Sequence, residues 1–154
     1  MLSSSILSPC GTYRYLLRRQ WCRSRPCLVF ICVNPSKATA TVTDPTTRKC
    51  TDIARNLGFG GIIIANLFAY RSPYPRAMRR APAPAGPRND RLLRRLAQTE
   101  ATIVAAWGTN GAFRGRDKFV QSLFPKLFCL GRTLYGFPRH PLSVFGSYVL
   151  HPYP

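Results

Sequence analysis

Two stretches of this chain, "CLVFICV" at 27–33 and "IIIA" at 62–65, are apolar at every position rather than at alternate ones. Runs of this kind predict strands buried on both faces, as in a parallel sheet covered by helices. "TIVAAW" at 102–107 and "KLFCL" at 126–130 predict a third and a fourth strand. Ahead of them "YRYLLRRQW", 13–21, alternates only in part and predicts a basic strand or hairpin arm.

The intervening segments switch to helical spacing. Asp44-Pro45 supplies an N-cap acceptor followed by a proline at the first helical position. Cys50, Ile53, Ala54 and Leu57 then recur at i, i+3, i+4, i+7. Gly58 or Gly60 closes that helix. Asn89 or Asp90 caps a second helix with an apolar face of Leu92, Leu93, Leu96 and Ala97, and Phe119, Val120 and Leu123 mark a short third. Residues 71–88 carry five prolines and five arginines and read as a loop. Residues 131–143, "GRTLYGFPRHPLS", read as another.

Strand and helix thus alternate, which predicts an α/β fold. The expectation is a three-layer α/β/α arrangement with a mostly parallel four-stranded central sheet, plus an N-terminal strand or hairpin. The 154 residues fit one domain. Residues 1–9 are a candidate disordered start and 144–154 a C-terminal tail.

Composition changes this picture by adding a partner. Lys and Arg number 23 against 5 acids, giving a net charge of +18, and 19 of the 23 are Arg. Guanidinium groups pair with phosphate at two points, so a polyanion, nucleic acid and DNA first, is the expected partner. An Arg-rich proteome would explain Arg over Lys but not the shortage of acids. Protein partners leave no signal.

The same shortage narrows the chemistry. The carboxylates are Asp44, Asp52, Asp90, Glu100 and Asp117, and the imidazoles His140 and His151. A two-metal nuclease or a glycoside hydrolase would want more. Asp52, Glu100 and Asp117 sit among basic residues and read as ion-paired surface groups. The six cysteines form no C-x-x-C pair and read as reduced thiols, so neither metal nor cofactor is expected. No apolar run reaches the roughly 20 residues of a membrane span, and the start lacks a secretory pattern. A soluble cytoplasmic protein is the reading.

In open α/β sheets ligands sit beyond the carboxyl ends of the strands. Asn34, Asn66, Gly108 and the loop holding His140 all fall there. Asn34 could orient a water or simply start the Asn-Pro turn. Asn66 ends an apolar run, where an amide wants a ligand or a backbone partner. His140, between Pro138-Arg139 and Pro141, is a candidate acid, base or donor. Asn34 and His140 are therefore the catalytic candidates. Asn66, Ser36, Phe68, Tyr70, Arg71, Trp107, Gly108 and Arg139 are candidate substrate-binding residues. Phe68 and Tyr70 could stack a base or belong to the core. Asp44, read first as a helix cap, Thr46 and Asn89 are further candidates.

"CGTYRYLL", "NPSKA", "DPTTRKC", "NLFAYR", "GPRND", "AWGTNG", "CLGRT" and "GFPRHPL", spanning roughly residues 10–142, resemble an uncharacterised bacterial and phage family, domain of unknown function 1643. Related sequences tend to carry acids where this chain has Thr39, Thr43 and Ala83. More distantly, the order of motifs resembles the uracil-DNA glycosylase superfamily. The matching features are Asn34-Pro35 after strand one, Asn66 after strand two, Trp107-Gly108 after strand three, and "HPLS" from His140. That resemblance implies hydrolysis of an N-glycosidic bond in an extruded nucleotide. Asn66 would read the base, His140 would donate to its oxygen, Asn34 would place the water, and no metal would be needed. Two alternatives stand beside it: a non-catalytic module binding nucleic acid or a nucleotide, and an enzyme acting on free modified nucleotides.

Overall fold

A computed structural model describes all residues, Met1–Pro154. Its centre is the expected set of apolar strands. β3 (Cys27–Cys32), β4 (Gly61–Asn66), β5 (Ile103–Ala105) and β6 (Leu127–Cys129) are mutually parallel, in the spatial order β4-β3-β5-β6. The sheet is nevertheless larger than four strands, and mixed. β1 (Leu2–Leu7) and β2 (Arg14–Gln20) form an antiparallel hairpin that docks β2 antiparallel on β4. β7 (His151–Tyr153) adds antiparallel to β6 at the other edge. Seven strands run in the order β1-β2-β4-β3-β5-β6-β7.

These additions correct two expectations. Residues 2–7 are a paired strand rather than a disordered start. The C-terminal residues are not a free tail, because Tyr153 is buried edge-on against Trp107 at 5.9 Å between ring centroids. The first has a serine run at its centre and the second is three residues long, so neither declares itself locally. The ladder partner makes them strands.

Side-chain parity divides the core. Leu28, Phe30 and Cys32, with Ile62, Ile64, Val104 and Ala106, point to one face. There they meet Cys50, Ile53 and Ala54 of α1 (Pro45–Asn56). Val29, Ile31 and Val33, with Ala65, Leu67, Ile103, Ala105 and Trp107, point to the other. That face packs on α2 (Pro75–Arg80), α3 (Asn89–Ala97) and α4 (Arg116–Leu123) through Met78, Leu93, Leu96 and Val120. Period-2 alternation with both faces covered is why the strands read as unbroken apolar runs.

Asp44 caps α1 as its sequence predicts, its Oδ1 accepting from Thr47 N–H at 2.8 Å. The 71–88 segment holds a short helix, α2, entered through Pro75, so it is only partly loop. α3 starts one residue earlier than a side-chain cap would place it. Arg88 occupies the N-cap, no side chain caps the end, and Asn89 is drawn inward and buried. Asp117 is buried as well, accepting from Lys118 N–H, and the molecule's one ion pair joins Arg116 to Asp90. Asp52 and Glu100 are exposed as expected but form no ion pair, and the expectation fails outright at the buried Asp117. No helix is long and apolar enough to cross a membrane.

Candidate functional site

The chain leaves β3 and α1 crosses one face of the sheet to β4, whereas α2, α3 and α4 lie on the other face. Connections that diverge in this way open a crevice at the carboxyl ends of the strands. A small cleft of about 30 Å3 lies there, at the start of α1. Asn34, Asn66 and His140 all line it, together with Arg14, Cys32, Ser36, Asp44 and Thr46.

Asn66 reaches the cleft by parity. It pairs with Cys32 across the β3–β4 ladder and shares the α1 face with Ile62 and Ile64. It is 1% exposed, and neither Oδ1 nor Nδ2 has a hydrogen-bond partner within the protein. Its main chain, in contrast, is tied down. Asn89 Nδ2 donates to the carbonyls of Asn66 (2.9 Å) and Leu67 (3.0 Å), and Arg116 Nε donates to Leu67 O at 2.8 Å. The strand end is held fixed while its amide is left free.

Asn34 is the reverse case. Its Nδ2 donates to the carbonyls of Ser72 (2.9 Å), Pro35 (3.2 Å) and Tyr70 (3.3 Å), which orients the group and leaves Oδ1 as its free acceptor. His140 arrives from the loop after β6. Gly108 N–H donates to Pro138 O and Arg139 N–H to Gly131 O, folding that loop over the end of β5. Gly108 sits at φ +64, and a Cβ there would stand 3.5 Å from His140 Cβ, so glycine permits both the turn and the close approach. Leu142 N–H donates to His140 Nδ1 at 3.2 Å. The neutral ring therefore carries its proton on Nε2. Burial holds the His140 pKa below the usual imidazole range, and attraction to Asp44 opposes this only in part.

Two charged groups complete the cleft. Arg14 is 2% exposed, donates through Nη1 to Ala38 O at 2.7 Å, and keeps an unpartnered Nε. Burial pulls its pKa down to about 10, against the attraction of Asp44. Asp44 accepts from Ala38 N–H at 3.3 Å besides capping α1, so one carboxylate faces the cleft. Beneath them Cys32 and Cys50 are free buried thiols, and burial pushes the Cys50 thiol well up, followed by its hydrogen bond with Cys32. No three His, Cys, Asp or Glu side chains gather as metal ligands.

The family described as "Protein of unknown function (DUF1643)" matches residues 14–142. The chain belongs to that family. No curated protein and no solved structure was found to match it. The matched segment runs from Arg14 past His140, so it contains every residue that lines the cleft.

Other candidates lie elsewhere. Phe68 is buried against Phe113 on the far face of the sheet, two positions on from Asn66. Tyr70 turns toward Tyr74 and Arg76, and Arg71 donates to Gly11 O at 3.2 Å. Trp107 is buried at odd parity, away from the cleft, and only its neighbour Gly108 touches His140. Arg139 is exposed and packs over Gly131. Asn89 acts from behind, through the main chain of Asn66. Sequence reasoning passed over Arg14 and Cys32. Arg14 sits in a strand rich in exposed basic residues, and nothing local marks it as the buried one. The register of β1 against β2 shifts between Ile6 and Leu7, opposite Arg14, and Arg14 opens on the α1 side that Leu17 also occupies.

Proposed function

We propose that this cleft reads the edge of a nucleobase and that the chain hydrolyses the N-glycosidic bond of a nucleotide extruded from nucleic acid. The observation that carries the reading is the Asn66 amide, buried with both polar atoms unpartnered beside a neutral imidazole whose Nε2–H is free to donate. Leaving a buried polar group unpaired costs about 1–3 kcal/mol, and a carboxamide has both polarities to offer a base edge. The order of the Asn-Pro, strand-end Asn and His-Pro segments supports the same reading by its likeness to the uracil-DNA glycosylase superfamily. The excess of arginine suits a polymeric, phosphate-bearing substrate.

In this scheme Asn34 Oδ1 and the Asp44 carboxylate hold a water against the sugar carbon. The water oxygen bonds to that carbon as the carbon–nitrogen bond breaks, and the bond's electron pair leaves on the base. His140 Nε2–H stabilises the base oxygen as it becomes negative, in the manner of a preorganised oxyanion donor. The water's proton passes to Asp44 and then to the departing base. The closed cleft has room for an ordered water or two and not for a ring. A base therefore enters as the 131–143 loop draws back, and closure delivers His140.

The test is a base-release assay on oligonucleotides carrying uracil, hypoxanthine or modified pyrimidines. Wild type should release one of these bases. Asn66→Leu should abolish release, and His140→Gln should slow it by about 100- to 1,000-fold, the effect of removing one oxyanion donor. No release by wild type across the panel defeats the hydrolytic reading. Binding of the base without release would assign a non-catalytic module instead.

A further inference from the structure

On the face opposite α1, α3 and the β1–β2 hairpin flank an open cavity of about 240 Å3. Arg88, Arg91 and Arg95 all line it, beside Tyr15, Leu92 and Ile6. The spacing i, i+3, i+7 puts the three guanidinium groups on one side of α3 over about 10 Å of helix. Like charges so placed repel, and no acid answers them. Asp90, the acid of α3, is taken by Arg116, and that is the only ion pair in the molecule. Asp44 belongs to the cleft on the other face.

A second groove lies beside it. Tyr13 and Tyr15 stack at 6.2 Å with ring planes 17° apart, and Pro87 adjoins Arg88. Tyr13 and Pro87 line a groove of about 510 Å3, with Pro84, Gly86 and Arg114. Arg114, at φ 55, is the only non-glycine residue with positive φ. Strained backbone of this kind persists where surrounding structure holds it, and it clusters at binding sites. A row of unanswered arginines thus lies beside an aromatic and proline-lined slot.

We infer that this groove binds a single strand of nucleic acid. Backbone phosphates lie along Arg88, Arg91 and Arg95, and one base lies in the slot against Tyr13. The occupant is a polyanion because three unpaired guanidinium groups line one cavity. It is a single strand because only unpaired bases offer a free face for stacking. About 10 Å of helix is long enough for the arginine row to span more than one backbone phosphate. The inference goes beyond the cleft chemistry and does not depend on it.

Fluorescence anisotropy with a labelled oligothymidine, titrated with salt, tests it. Each phosphate contact to a single strand contributes about −0.7 to the slope of log affinity against log salt. The triple variant Arg88→Gln, Arg91→Gln, Arg95→Gln should therefore flatten the slope by about 2. The control Arg23→Gln, Arg25→Gln, Arg55→Gln makes the same change in charge with exposed residues outside the groove. An equal loss in the control overturns the inference and leaves net charge as the explanation. Equal binding of the matched duplex, or displacement of the oligonucleotide by tripolyphosphate at equal phosphate concentration, overturns the single-strand assignment. If the proposed base release is seen, the groove variant should raise KM and leave kcat unchanged. If base release is never seen and the slope still flattens, the groove stands while the cleft reading falls.

Discussion

Asn66→Leu should make this protein more stable. The amide is 1% exposed, and neither of its polar atoms has a partner within the protein. Leucine has nearly the same branched shape without those atoms, so it removes a desolvation penalty of about 1–3 kcal/mol and adds little volume. The ties from Asn89 run to main-chain carbonyls and survive the exchange. The neighbours on that face, Cys32 and Ile64, are apolar enough to accept a methyl pair. A net gain of about 2 kcal/mol corresponds to a rise of about 4–8 °C in Tm for a chain of this size. Urea unfolding followed by tryptophan fluorescence measures it, with m expected to stay constant. A loss of 1 kcal/mol or more would show that the native amide is well bonded in the folded protein. The argument that it is kept for a ligand would then fail.

Other substitutions probe the supports of the site. Asn89→Leu should lose about 1 kcal/mol in the same urea assay, because the Asn66 carbonyl loses its side-chain donor while Leu67 O keeps Arg116, and removal of the unpartnered Asn89 Oδ1 offsets part of the loss. Gly111→Ala should lose at least about 1–3 kcal/mol by overpacking, since its Cβ would stand 2.1 Å from Trp107 Cδ1 in a ring already wedged against Tyr153; an unchanged Tm would refute this. The lowered His140 pKa also gives a sign. The unfolded chain binds a proton near the ordinary imidazole value while the folded ring stays neutral, so wild type loses stability as pH falls from about 6.5 toward the folded value. His140→Gln should lose less over that window, and identical pH profiles for the two proteins would show that burial does not hold the ring neutral.

Much of this was legible in the chain. The unbroken runs at 27–33 and 62–65 specify strands covered on both sides, and Asp44-Pro45 specifies the start of α1. Those elements alone put Asn34, Asn66 and Asp44 at one end of the sheet. What the sequence hid depends on distant pairing. Arg14 looks like any other basic residue of 13–21 until β2 docks on β4 and buries it. Phe68 and Trp107 flank the site in sequence, yet parity sends Trp107 to the other side, and Phe68, beyond the end of β4, packs there as well. Asn89 has the residue type of a helix cap, and only the fold shows its amide spent on two carbonyls of β4. β1 and β7 have no strong pattern of their own, and neighbouring strands define them.

The alternation that carries Asn66 to the α1 side has a genetic corollary. Deleting one codon from the Ile62–Ile64 triplet would shift every later residue of that strand by one place. Leu67 would then occupy the cleft position, and the carboxamide would face the α3 layer. Variation in the length of this strand should thus be far less tolerated than exchange of one isoleucine for valine. The location of the site is a matter of odd and even numbers, written into the reading frame of a single strand.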